Sequence, residues 1–401
     1  MKISNVACAG WLALIVVAGV IVVGPSCDMR SSHVAAAESD SKPASSDSFS
    51  SALARFEFER VEMAVPVKVV FYAPDKAAAS TAASAAFDEI HRLNAILSDY
   101  DPQSELRRLC RTAGRATAVP EETTSGADPT PSRAVAVSDD LWNVLQASQR
   151  MARLSDGAFD VTVGPVVKLW RRARRRHRLP TEQRLAEARE RVGYQMIRLH
   201  PEGRKVELLR PDMRLDLGGI AKGYAVDAAL DVLRRHGVTR ALIDAGGDIR
   251  LGGPPPGEVG WRIAVAGTDR EEPSAEVLLL ANTAIATSGD AWQHVEIRGV
   301  RYSHIVDPRT GVGLTDRATV TVVAPTGMLA DSLASAVSVL GPEPGIELVQ
   351  KHPGAAVQIV RSRDDKQGGP VAVHGPGWAK LPRASPGGEA ARDGGKAIEP
   401  R

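Results

Sequence analysis

Hydrophobic and polar positions along the chain change period several times, and each change marks an element. The run "AVPVKVVFYA", residues 64–73, reads as a strand. Residues 77–97 then place Phe87, Ile90, Leu93, Ile96 and Leu97 at helical spacing, which predicts one long amphipathic helix. "SDYDPQSEL" follows as a turn with an acidic helix start. Residues 111–133 carry Pro, Thr, Gly and charge without period and read as an inserted loop. "DDLWNVLQASQRMARLSDG" is a helix closed by Gly157. Strand-like runs come next: "MIRLH", "KVELL", "RALIDAGGDIRLGG", "WRIAVAG", "EVLLLANTAIATSG" and "TVTVVA". The last of these leads into a helix over 328–340. Strands and helices mix without strict alternation of the βαβ kind, which predicts an α+β domain with layered mixed or antiparallel sheets flanked by helices.

The ends of the chain have different patterns. Lys2 precedes an apolar run from Ala7 to Val23, broken at Gly24-Pro25, so residues 1–30 read as a signal peptide or membrane anchor. "VAAAE" fits an ordinary processing site and "GPSC" a lipoprotein site at Cys27. An uncleaved anchor is the third option. The expected location is therefore outside the cytoplasm, periplasmic, tethered to the inner membrane by anchor or lipid. Residues 31–54 read as a disordered linker, 55–375 as one domain and 376–401 as a disordered tail.

Composition narrows the picture further. The chain has 401 residues, 43% hydrophobic and only 4% aromatic, which suits tightly packed α/β layers. A formal net charge of +2 gives no bulk electrostatic case for nucleic acid. Outside the leader only Cys110 remains, so there is no internal disulfide and no cysteine-based metal site. The run "RRARRRHR", Arg171 to Arg178, reads either as a solvated helix face or as a docking surface for an acidic partner or lipid head groups.

Candidate chemistry collects where apolar strands break on glycine. In "RLDLGGIAKGYAVDAAL", Gly218-Gly219 permits a sharp turn and close approach of a ligand. The helix that follows offers N–H groups suited to phosphate, and Lys222 adds a mobile cation. Asp216 fits beside them if it binds a sugar hydroxyl, a ring N–H or a shared cation. The bland alternative is a tight strand–helix turn with a surface lysine. Neither the Walker nor the dinucleotide fingerprint is present. In "TGMLADSLASAVSVL", Asp331 and Ser335 share one helix face and offer two hard oxygens to Mg²⁺. The alternative is Asp331 as a cap and Ser335 bonded back to a carbonyl.

Four further stretches add polar groups. His304 in "RYSHIVDPRTG" ends a strand-like segment and reads as a base, a polar clamp or a structural histidine. Asp160 and Thr162 in "DGAFDVTVGPVVKLW" read as polar residues on one side of a strand. Asp244 and Asp248 flank Gly246-Gly247, and "ATSGDAW" is another glycine turn. Together these breaks suggest a cleft for an extended phosphorylated ligand. Nothing matches the contexts of a Ser-His-Asp hydrolase or a zinc site.

The six stretches "FDVTVGP…LW", "DLGGIAKGYAVD", "DAGGDI", "ATSGD", "SHIVDPRTG" and "APTGMLADSLASA" occur in the order found in the ApbE family, and the chain resembles that family over roughly residues 55–360. The resemblance implies a T-fold-like single domain. It also implies a Mg²⁺-dependent FAD:protein FMN transferase that links FMN to a threonine of an acceptor protein and releases AMP. The expected acceptor bears a Ser/Thr-Gly-Ala-Ser/Thr sequence and belongs to membrane electron transport. Implied FAD contacts are Met63, Tyr100, Ala158, Phe159, Asp160, Asp216, Lys222, His304 and Ile305. Implied Mg²⁺ ligands are the Gly219 carbonyl, Asp331 and Ser335, with His304 or Asp331 as the base. Where the family often has Met-Gly-Thr this chain has "MAVP". "TSGAD", Thr124 to Asp128, ends without a hydroxyl, so no self-modification is expected. The competing readings are a Mg²⁺-dependent FAD pyrophosphatase and a non-catalytic flavin-binding lipoprotein.

Overall fold

A computed structural model describes residues 53–114, 134–265, 267, 276–289, 294–362 and 370–384. The leader, almost all of the linker, most of the inserted loop with its "TSGAD" stretch and the end of the chain lie outside the described residues. Eight strands form the main sheet: β1 (Ala54–Glu62), β2 (Val65–Ala73), β3 (Ala241–Ala245), β4 (Asp248–Leu251), β5 (Ala284–Gly289), β6 (Ala318–Ala324), β7 (Ala356–Arg361) and β8 (Val371–His374). They lie across the sheet in chain order, and every neighbouring pair is antiparallel. The sheet is thus antiparallel throughout rather than mixed.

Period-two alternation decides what each face buries. Val67, Val69, Phe71 and Ile243 join the larger core, and Val70, Leu242, Ile249 and Leu251 join a second core on the opposite face. Packed into the larger core are α1 (Lys76–Leu97), α2 (Glu105–Cys110), α3 (Asp139–Leu154), α6 (Ala221–Arg235) and α7 (Gly327–Leu340). The α1 stripe is as its spacing predicts, with Phe87, Ile90, Leu93 and Leu97 buried and Asp75 capping the first turn through Ala78 N–H at 2.9 Å. α4 (Gly164–Arg176) and α5 (Glu182–Arg189) form a third, smaller cluster around Trp170, whose indole donates to the Gly311 carbonyl at 2.9 Å. α8 (Pro342–Gln350) follows α7 directly.

Several boundaries differ from the sequence expectation. β1 starts at Ala54, inside the expected linker; its alternation of Phe56 and Phe58 with charges belongs to an edge strand. The expected tail begins too early. Trp378 is fully buried in the second core and its indole donates to Glu276 at 3.3 Å, so the described chain stays packed beyond residue 375. "VTV", 161–163, is a 3-10 turn rather than a strand, because the Asp160 carboxylate caps it from below. Among the described residues no helix is long and apolar enough to cross a membrane.

Candidate functional site

The glycine turn of residues 216–219 is the hinge of the site. Asp216 N–H donates to the Val161 carbonyl at 2.8 Å, which ties the turn to the segment carrying Ala158, Phe159 and Asp160. The Asp216 side chain accepts from Gly218 N–H at 2.9 Å. A Cβ on Gly219 would sit 2.6 Å from Ser335 Oγ and 3.4 Å from the Phe159 ring. Only glycine allows α7 this close. One turn further, a Cβ on Gly223 would meet the Gly327 carbonyl at 2.2 Å, so α6 and α7 cross almost backbone on backbone.

That crossing builds an inner polar cluster. Gly223 N–H donates to Asp331 Oδ2 at 3.1 Å, and Lys222 Nζ lies 3.9 Å from the same oxygen while bonding tightly to Asp248. Asp248 and Asp331 are both buried. Burial, then the nearby Asp248 charge, pushes the Asp331 carboxyl up to about 7, against the pull of Lys222 and Gly223 N–H. Burial alone would lower the Lys222 ammonium, but the two carboxylates outweigh it and hold it above its usual value. Lys222 is therefore a tethered cation rather than the mobile one expected. The free helix end expected at α6 is also partly spent, since Ala221 N–H goes to the Leu217 carbonyl and Gly223 N–H to Asp331.

The bland readings of Asp331 and Ser335 do not hold. Thr326 caps α7 through Leu329 N–H, and Asp227 takes the Gly327 and Met328 N–H groups at 2.8 and 2.9 Å. Arg250 holds Asp227 at 2.8 Å. Asp331 is thus not spent on the start of its own helix; it accepts Gly223 N–H in the first turn of α6 instead. Ser332 and Ser338 bond back to carbonyls of the preceding turn, but Ser335 makes no such bond among the described residues. A buried carboxylate, a hydroxyl left unspent and the glycine backbone pressed against it are hard oxygen donors that suit Mg²⁺. No group of three His, Cys, Asp or Glu side chains that could hold a metal occurs among the described residues, so carbonyl and hydroxyl oxygens must complete any such site.

A second, outer cluster lies on the other side of the turn. The Arg171 guanidinium donates to Asp99 at 2.5 Å and to Asp216 at 2.9 Å. Its carbon stands 4.1 Å from the centre of the Tyr100 ring, which is 68% exposed. Burial, then the Asp99 charge, raises the Asp216 carboxyl against the pull of Arg171. Arg171 is thus no solvated member of its run. The sequence marked Asp248 only as a polar group flanking its glycines, without a role, and Arg171 was hidden in the charge run.

The remaining candidates scatter around these clusters. Asp160 spends its Oδ1 on Thr162 N–H and Oγ–H at 2.8 and 2.7 Å, as a buried cap. Met63 and Ala64 form the β1–β2 turn with φ of 49° and 63°, beside the Gly246-Gly247 turn that Val65 touches. His304 is half-buried at the break between strands Val300–Ser303 and Val306–Asp307. Its neighbour Ile305 lines a cavity of about 350 Å³ with Ser303, Val337 and Leu340. That cavity faces the C-terminal half of α7, roughly 10 Å along the helix from Asp331 at 1.5 Å per residue.

The sequence profile of the ApbE family matches residues 63–359. The chain belongs to the ApbE family. Over 239 residues it is 36% identical to a FAD:protein FMN transferase of Vibrio cholerae, covering 59% of this chain and 71% of that protein. A FAD:protein FMN transferase of Haemophilus influenzae is 33% identical over 277 residues, 67% of this chain and 75% of the relative. Among solved structures, the flavin transferase ApbE of Vibrio cholerae superposes with a TM-score of 0.69 at 28% identity, covering 82% of this chain and 99% of that one. The ApbE protein of Thermotoga maritima gives the same score and identity, covering 82% of this chain and all of its own. The α+β fold and the transferase class expected for the ApbE family are therefore those of this chain.

Proposed function

We propose that this protein moves the FMN half of FAD onto a threonine hydroxyl of an acceptor protein, with Mg²⁺ required and AMP released. That it is a FAD:protein FMN transferase follows from its family. The finer reading is carried by one observation: the glycine turn presses Gly219 against Ser335 while Asp331 stands buried beside Lys222 and Asp248.

Gly219 through its carbonyl, Asp331 and Ser335 would hold the Mg²⁺, which when bound supplies a Lewis acid for the pyrophosphate oxygens. Lys222 adds a fixed positive charge, aimed by its two carboxylates, where charge grows on the departing AMP phosphate. The Phe159 ring, packed on the turn, and the exposed Tyr100 ring over Arg171 offer flat surfaces to the flavin. The threonine Oγ attacks the FMN phosphorus, the bond to the bridging pyrophosphate oxygen breaks, and that oxygen leaves with AMP. The hydroxyl proton passes to a base, for which we assign His304, with Asp331 as the alternative. The reaction is asked mainly for positioning, because nucleophile and leaving oxygen must stay in line.

The same reading places the enzyme outside the cytoplasm, tethered at its N-terminus, as the apolar run after Lys2 supports. Its acceptor is an electron-transport subunit at the membrane with a Ser/Thr-Gly-Ala-Ser/Thr sequence. Purified protein mixed with FAD, Mg²⁺ and a domain bearing that sequence should yield a fluorescent acceptor band on a denaturing gel, lost with EDTA. Free FMN and AMP without a labelled band would make the protein a pyrophosphatase. Bound FAD without either product would make it a flavin binder.

A further inference from the structure

The arginine run of α4 divides between two tasks. Arg171 turns into the outer cluster. Lys168, Arg172, Arg175 and Arg176 lie on a different stripe, at spacings of four, three and one, and face a groove of about 910 Å³. Side chains from α2, α5 and the segment before the glycine turn complete its walls. Nine Lys or Arg residues line the groove against two carboxylates, Glu187 and Asp212. The whole chain carries a formal charge of only +2, so the positive potential is concentrated here.

The described residues give most of these cations no anionic partner. Lys168, Arg172, Arg175, Arg176, Arg184 and Arg191 make no ion pair among the described residues, whereas Arg171 beside them makes two. Like charges converging on a hollow repel one another, and an anion bound between them relieves the repulsion. The lining also inverts that of a usual small-molecule pocket, which is mostly apolar with a few polar groups. A bilayer surface is flat and does not enter a hollow between helices. A peptide segment does, and guanidinium forks pair bidentately with its carboxylates.

Position links the groove to the reaction. Arg214 lines it and also donates to the Asp99 carbonyl at 2.9 Å, within the outer cluster. Asp216, two residues on, opens the glycine turn. Residues flanking a threonine delivered to that turn therefore pass over or beside the groove. We propose that this groove docks an acidic segment of the acceptor protein, next to the threonine that receives FMN. The inference rests on the transfer reading above.

The test uses the full chain and fluorescein-labelled octaglutamate, read by anisotropy. The native protein should bind it in about 0.1 M salt and lose it in about 1 M, where the Debye length falls from about 10 to about 3 Å. Joint Arg172→Glu, Arg175→Glu and Arg176→Glu substitution should weaken binding on the order of tenfold or more. The FAD titration and melting midpoint should stay native; the milder triple change to Gln serves if charge reversal unfolds the protein. With an acceptor carrying an acidic flank, the same variants should raise KM and spare kcat. Equal octaglutamate binding by native and variant proteins would overturn the proposal. So would arginine-dependent binding to phosphatidylglycerol vesicles with octaglutamate ignored. If no acceptor is ever labelled while octaglutamate still needs these arginines, the transfer reading falls and the acidic-peptide groove stands.

Discussion

The two polar clusters on either side of the glycine turn are built in opposite ways. The inner one, Lys222 with Asp248 and Asp331, is set by backbone contact between α6 and α7 at Gly223 and Gly327. Its side chains have nowhere else to go. The outer one, Asp99, Tyr100, Arg171 and Asp216, is held chiefly by the Arg171 fork, which joins three separate stretches of chain, with Arg214 donating to the Asp99 carbonyl from beside it. Its aromatic face is open to solvent. A site that must stabilise charge at one fixed point needs the first construction, because preorganised groups cost no reorganisation during reaction. A site that must admit and release a flat ring tolerates the second. Under the proposed function, the inner cluster does the chemistry and the outer one holds the ligand.

The sharpest way to break this division is Asp331→Ala. Transfer should fall on the order of 10²–10³-fold, the scale of losing a preorganised charge-stabilising group. Circular dichroism should stay native. Asp331→Asn should be nearly as damaging, because shape is kept and charge is not. A near-native rate in either variant would move the chemistry elsewhere.

Arg171→Ala probes the outer cluster through stability. It leaves Asp99 and Asp216 with only the more distant Arg214, 3.9 Å from the Asp99 carboxylate, and should cost about 2 kcal/mol in urea unfolding, less than a fully buried pair because Arg171 is partly exposed. Arg171→Lys should not restore the loss, since one ammonium cannot span both carboxylates with the same fork. An unchanged midpoint would mean that the outer cluster holds itself together without this arginine.

Lys222→Ala should weaken FAD binding about tenfold, or ~1.4 kcal/mol, and should also lower the urea midpoint, because Asp248 and Asp331 lose their shared cation. A native FAD titration in that variant would remove Lys222 from the phosphate site.

The inner cluster also predicts a pH response. Asp331 keeps its proton in the folded state up to about 7, whereas the unfolded chain releases it near 4. Between those values the folded state binds more protons, so the contribution of this group to stability falls as pH rises. A divalent cation needs the ionised carboxylate. The rise in melting midpoint on adding Mg²⁺ should therefore be small well below pH 7 and full above it, and flat with pH in Asp331→Ala. A response independent of pH in the native protein would separate the cation from Asp331.

The smallest effect concerns the sheet edge. Ala64 has φ of 63° in the β1–β2 turn, where a Cβ is strained. Ala64→Gly relieves that strain but loosens the unfolded chain, so a net gain of about 0.5 kcal/mol is expected by denaturant titration. A loss would show that the turn is held by its neighbours rather than opposed by its own backbone.

The same contrast explains what the sequence made legible. Gly219, Lys222, Asp331 and Ser335 sit in short contiguous stretches whose spacing on a turn or helix already places them on one side. Their meeting needed only the packing of α6 on α7. Arg171 and Tyr100 are 71 positions apart, and no local period signals that one ring lies over the other guanidinium. Asp160 misled because alternation over "DVTV" imitates a strand, while the Asp160 carboxylate instead accepts from Thr162 and closes a 3-10 turn. Trp378 was lost to an aperiodic stretch, yet one large indole in the second core suffices to pin the segment around it.

The central claim is that a divalent cation and the FAD pyrophosphate meet at Asp331. Phosphorus NMR of bound FAD, with Mn²⁺ in place of Mg²⁺, tests it most directly. Both pyrophosphate signals should broaden severely in the native protein and remain sharp in Asp331→Ala with FAD still bound. Equal broadening in the two proteins would put the cation elsewhere and contradict the assignment.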